Sequence, residues 1–246
     1  MARYLLAEHA YVCTTDGHAI ILDLNRDSYS AVSKAQASAL VGVIEGWPRP
    51  PGWRAALATD EQEITESAVQ ALRNKGLLAT EPSSGKSAAP VRIPIPQTAL
   101  LETSLLHTLL DDPEVRPPRV RLVDIVVFLL AHTRASYRLS RKRLPRLIEA
   151  VRTRRARMTE APNIDVLRKH VHRFRLIRPF VYASSNRCLL DSLVLVEYLA
   201  CYDMYPLWIF GVTARPFAAH SWVQHGNIVL NDTPEHVGRF TPIMVA

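Results

Sequence analysis

Three short apolar runs, each separated from the next by turn residues, lie between positions 10 and 32. They are Ala10-Tyr11-Val12-Cys13, then His18 to Leu24 after Asp16-Gly17, then Ser28 to Val32 after Asn25-Arg26-Asp27. Short β-prone runs punctuated by Asp-Gly and Asn/Asp turns predict three antiparallel strands. The apolar period then lengthens. Ser33 is placed to cap a helix over about 34–45, and Thr59 or Asp60 to open another over about 61–75 that stops at Gly76. A small, polar, proline-containing stretch from Glu81 to Pro90, with Pro94 and Pro96 behind it, reads as a linker. Helical periodicity follows at 98–110, 120–134, 143–157 (opening near Pro145) and 163–177, where Leu167, Val171, Phe174 and Ile177 recur at helical spacing. A further helix-like run opens at Cys188. Leu207–Val212 and a hairpin around His225-Gly226-Asn227 supply strands. The pattern predicts an α+β chain: a small β-plus-helices domain over 1–81, a linker over 82–97, and a larger domain over 98–246.

Composition narrows the function classes. A chain of 246 residues has room for two domains with real cores. Three cysteines do not make a disulfide framework, and a working thiolate suits a reducing, cytoplasmic setting. The start lacks a signal-peptide core, and the most apolar run, 122–131, contains Asp124 and falls far short of the roughly 20 residues that span a bilayer. No internal repeat, phosphate loop or zinc spacing is present, so no cofactor or metal is expected. The net charge of +7 raises nucleic-acid binding, but the cations cluster between Arg138 and Arg157 instead of in the N-terminal module. That cluster reads either as a solvated helix face or as a patch for an acidic peptide, a membrane surface or a partner enzyme.

Candidate chemistry centres on Cys188. A thiol at a helix N-terminus lies at the positive end of the backbone dipole, which favours the thiolate. A nucleophilic thiolate needs a base, and the base needs a group to fix its tautomer. His220, in Ala219-His220-Ser221-Trp222-Val223, and Asp232, in Leu230-Asn231-Asp232, follow in that order. If residues 225–227 all form the hairpin loop, His220 faces Asp232 across the strands. With a two-residue His225-Gly226 turn it faces Asn231. Taken singly, each residue has a plainer reading: a buried small hydrophobe like Cys13 or Cys201, a core or surface histidine, a turn aspartate before Thr233-Pro234. His225, Asp191 and Asp203 are the rival base and acids.

The segment from Arg187 to Asp232, with Arg-Cys-Leu opening a helix, Gly211-Val212, Arg215-Pro216-Phe217, Ala-His-Ser-Trp-Val and Leu-Asn-Asp, resembles the lasso-peptide B proteins. These are transglutaminase-like cysteine peptidases that remove the leader from a ribosomally made precursor. The resemblance implies Cys188 as nucleophile, His220 as base and Asp232 as orienting acid, with an asparagine-synthetase-like lasso cyclase as partner. Asp191 is a departure from the pattern. The N-terminal strands and helices resemble the winged-helix precursor-peptide recognition element of the pyrroloquinoline-quinone chaperone-like (PqqD-like) proteins. That likeness implies that the leader adds as a strand to the Ser28–Val32 edge, so that Ser28, Tyr29 and Val32, with Val69, Leu72 and Arg73 on the helix wall, are the candidate peptide-binding residues. A transglutaminase-like acyl transferase, a non-catalytic leader-binding protein and a winged-helix DNA binder are the rivals.

Overall fold

The computed structural model describes residues 4–49, 60–79, 81–99, 119–141, 144–158, 162–182 and 187–246. The chain divides into two compact units. The first is Met1–Arg92 together with Gly211–Ala219 and Thr241–Met244; the second is Ile93–Phe210, His220–Phe240 and Val245–Ala246.

In the first unit, β2 (Ala10–Thr15), β3 (His18–Asp23) and β4 (Ser28–Val32) form an antiparallel sheet in the order β2-β3-β4. Asp16 and Gly17 take positive φ in the first turn and Asp27 in the second, where the turn residues were expected. The pairs Val12↔Ile21 and Ala19↔Val32 lie on one face. There they join a core with Ala37 and Leu40 around α1 (Lys34–Ala39) and with Ala68, Val69 and Leu72 of α2 (Asp60–Asn74). On the other face Cys13, Ile20 and Leu22 are also buried. Burial on both faces explains why His18 to Leu24 reads as a continuous apolar run and not an alternating one.

Ser33 caps α1 in a reciprocal capping box with Gln36. The helix is shorter than the 34–45 expected, because Leu40 is its C-cap and Gly42 leaves helical space at φ +81°. Gly76 ends α2 at φ +69°: Leu77 N–H donates to Leu72 C=O and Gly76 N–H to Arg73 C=O, a closure that requires a left-handed residue. Part of the expected linker is not free. β5 (Gly85–Lys86) pairs with β1 (Leu6–Ala7), and Ala88 is buried with its N–H on Glu45 C=O.

In the second unit α6 (Cys188–Ala200) is the central helix, with every residue from Asp191 to Leu199 buried. A helix apolar all round needs cover on all sides. It packs against α3 (Leu122–Arg141) and α5 (Ile164–Ile177), and α4 (Leu144–Ala156) packs on α3. The rings of Phe128, Phe174 and Tyr198 stand 5.0–6.3 Å apart at the centre. Buried Glu197 takes Arg138 and Arg154, the latter at 2.8 and 3.2 Å, and Arg152 donates to the Val245 carbonyl at 2.6 and 3.1 Å. Arg138, Arg152 and Arg154 of the basic cluster are therefore internal scaffolding, while Arg141, Arg146 and Arg157 are exposed. Lys142 and Arg143 lie outside the described residues, as does the helix expected over 98–110 from residue 100 on.

A five-stranded sheet runs in the order β10 (Thr241–Val245), β7 (Leu207–Ala214), β8 (Phe217–His225), β9 (Ile228–Val229), β6 (Thr98–Ala99). β6 joins parallel to β9, and reciprocal bonds between Trp208 and Ala246 hold β10 to β7. Among the described residues no helix is long and apolar enough to cross a membrane.

Candidate active site

The hairpin that carries His220 has neither register expected from the sequence. Gln224 pairs with Val229 and His225 with Ile228, so Gly226 and Asn227 form the turn, with Gly226 at φ +56°. The ladder ends at Val229 and residues 230–232 bend away. Asp232 therefore reaches His220 from a bend beyond the strand, not from across a ladder. The contact is short: His220 Nε2 lies 2.6 Å from Asp232 Oδ2.

With Nε2 committed to Asp232, the other ring nitrogen of His220 is left for Cys188, which opens α6 and whose pKa is lowered, chiefly through hydrogen bonding to His220. Burial opposes this shift, and the Ser221 backbone N–H adds to it. The helix terminus, expected to favour the thiolate, has Arg187 as its N-cap residue, which makes no side-chain cap. Burial penalises the His220 imidazolium, but the Asp232 carboxylate and Cys188 outweigh it and push the pKa up to about 9. Burial likewise raises Asp232, while His220, His236 and the Thr233 N–H pull it below the usual carboxylate range. Opposed shifts in the two groups favour the thiolate–imidazolium form of the pair over the neutral one. Cys13, by contrast, is buried and pushed up to about 12.

His236 is a member of this cluster that sequence reasoning missed. Its Nδ1 lies 2.8 and 3.0 Å from the two Asp232 oxygens, and its ring meets His220 edge-on at 4.8 Å between centroids. Thr233 caps the short helix α7 (Pro234–Val237) by accepting from the His236 N–H, which places His236 four residues beyond Asp232 and facing it. The Asp-Thr-Pro-x-His spacing was the signal available. Phe240 covers both rings at 5.0 and 5.5 Å.

Asp191 binds neither His220 nor Cys188. It accepts two bonds from Arg178 Nη1 at 3.2 Å, one from Tyr182 OH at 3.0 Å and one from Asn231 Nδ2 at 3.2 Å. Asn231 in turn accepts the Val223 N–H at 2.8 Å. One buried carboxylate thus ties the helix that carries Cys188 to the strand that carries His220. A second tie is Ser192, whose hydroxyl meets Ser221 Oγ at 2.9 Å and accepts from Trp208 Nε1 at 2.9 Å. Nearby Arg175 is lowered to about 10 by burial and by Arg178, against the pull of Asp191 and Asp232. Asn231→Ala removes the bridge without touching Cys188 or His220. The expected result is a fall of up to about 10²-fold in turnover with little change in KM, because near-attack geometry is lost and not binding; steady-state kinetics check it.

Of the rivals, His225 pairs with Ile228 at the turn, and Asp203, at φ +55°, accepts from Tyr205 OH. The candidate peptide-binding residues fall into two groups. Val32, Val69 and Leu72 are in the core of the first unit. Ser28 and Arg73 are exposed and Tyr29 is partly so, with Arg73 stacked 4.9 Å from the Tyr4 ring centroid.

A family model of the transglutaminase-like superfamily matches residues 127–245, a span that contains Cys188, His220, Asp232 and His236. Residues 127–245 form a transglutaminase-like domain. No curated protein and no solved structure matches the chain. Transglutaminase-like proteins are typically cysteine-based enzymes, and the domain is compatible with a cysteine peptidase or an acyltransferase.

Proposed function

We propose that this protein is a leader peptidase: its N-terminal module binds the leader of a ribosomally made lasso-peptide precursor, and its transglutaminase-like domain hydrolyses the leader–core bond. The observation that carries the reading is the 2.6 Å His220–Asp232 contact inside a transglutaminase-like domain, with His220 lowering the pKa of Cys188. The Cys188 thiolate attacks the carbonyl carbon of the last leader residue. As the C–N bond breaks, the His220 imidazolium gives its proton to the leaving core amine, and a leader thioester remains on sulfur. His220, now neutral, takes a proton from water, whose oxygen attacks the thioester. The leader carboxylate departs and the thiolate returns. Asp232 holds the imidazole in the required tautomer throughout.

The three-stranded sheet with its edge strand β4, followed by helices, supports the leader-binding half of the reading, since an edge strand accepts an extended peptide through its backbone. Capture by a separate module raises the local concentration of the scissile bond. The freed core amine then passes to an asparagine-synthetase-like cyclase that closes the lasso ring, in the cytoplasm. If an amine in place of water attacks the thioester, the same residues perform acyl transfer.

The test is incubation of the full chain with the short precursor encoded beside its gene, followed by mass spectrometry. A single cut that releases an intact core is the expected result. Incorporation of added labelled methylamine into the leader in place of hydrolysis identifies an acyl transferase. Intact precursor, with the cyclase and ATP also supplied, overturns the reading.

A further inference from the structure

Arg215-Pro216-Phe217 is the most distinctive run in the chain, and the chemistry at Cys188 does not use it. It belongs to the first unit, together with the three-stranded sheet, whereas Cys188 and His220 belong to the second. In the first unit this run and β4 enclose a notch of about 310 Å³ lined by His18, Ile20, Tyr29, Ala31, Arg215 and Phe217. The volume falls at the small end of ligand pockets, the scale of one bulky side chain and not of a cofactor.

The walls are apolar and aromatic. The Tyr29 and Phe217 rings lie 5.4 Å apart at 57°, and Phe217 is 52% exposed, a large hydrophobe left at the mouth. The tip is held in shape: Thr213 Oγ1 donates to the Pro216 carbonyl at 2.8 Å, and the Ala214 N–H donates to Asp16 at 3.4 Å. β4 is the edge strand of its sheet, and its side chains alternate. Val32 points into the helix-side core, while Tyr29 and Ala31 line the notch. A peptide strand laid along β4 projects alternate side chains to the same two faces. The helix-side face is filled at Val32, Val69 and Leu72, which leaves the notch to discriminate between side chains.

We propose that this notch is a specificity subsite that takes one aromatic or bulky aliphatic side chain of the leader strand, with Arg215 at its rim excluding a basic residue there. The inference rests on the leader-binding reading above and names the feature of the leader that is read. Two substitutions probe it: Phe217→Ala removes a wall at an exposed position, and Ala31→Trp fills the notch from an exposed position.

The experiment measures binding of the fluorescein-labelled leader half of the adjacent precursor to the full chain in a Cys188→Ala background. Single alanine and lysine replacements are scanned along the peptide. The expected result is about tenfold weaker binding for each protein variant. The same loss should appear on alanine or lysine replacement of one bulky leader residue, with its immediate neighbours tolerant. If the background protein binds the leader and both variants bind it equally, the notch is not the subsite, and leader recognition still stands. If the background protein does not bind the leader at all, the recognition reading fails and the inference with it.

Discussion

On the proposed leader-peptidase function, Cys188→Ala is expected to abolish precursor cleavage, with a loss of at least about 10⁴-fold in kcat/KM, and His220→Ala to cost about as much. The two losses do not add, because each removes the same thiolate–imidazolium pair. Asp232→Asn keeps the shape but offers the wrong hydrogen-bonding partner to His220 Nε2, and falls by about 10³–10⁴-fold. The pH profile of kcat/KM shows the same pair. Cys188 is lowered mainly by its bond to His220, so the rate rises with pH on a limb below the ordinary thiol range, as the thiolate forms. His220 has its pKa at about 9, and above it the ring loses the proton owed to the leaving amine, so the rate declines through about pH 9. A stopped assay on the leader–core peptide between pH 5 and 10 measures both limbs. An alkaline limb near 6.5, the ordinary histidine value, would show that the ring stands unpaired.

The second large effect is on stability. Glu197 is buried at 4% exposure on the central helix, and burial opposes its charge, yet Arg154 and Arg138 hold its pKa below the usual carboxylate range. Glu197→Ala leaves two arginines facing a closed interior. Both retain some access to water, so the expected cost is about 3 kcal/mol, the low end for breaking a buried pair. For a domain of this size that lowers the Tm of the second unit by roughly 6–12 °C. Replacing Glu197, Arg138 and Arg154 together with apolar residues of similar volume should recover most of the loss, since no unpaired charge remains. Calorimetry of the single and triple variants decides. A Glu197→Ala protein as stable as wild type would show that the pair contributes nothing net.

The three N-terminal strands, their turns, the Gly76 stop and the helices from 122 to 200 follow from patterns that act over a few residues. Turn chemistry, capping and apolar period are fixed locally, so the sequence determines them. The order Cys188, His220, Asp232 was legible for the same reason: a helix start and a strand each announce themselves. The tertiary structure decided what lies between. A one-residue shift in where a hairpin turns is nearly neutral locally, but it moved Asp232 off the ladder and onto a bend. β10 and β6 pair with strands far away in sequence, which no local signal reports. Asp191, a rival acid in the sequence, became a clamp because Arg178, Tyr182 and Asn231 converge on it. His236 joined the site because Thr233, next to Asp232, caps a short helix that turns His236 back toward the carboxylate. The basic cluster, read as a surface, proved partly internal because Glu197 sits where two of its arginines can neutralise it. Each of these depends on which charged and polar groups meet inside the fold. Desolvation sets the energy of such meetings, and it acts only once the chain has packed.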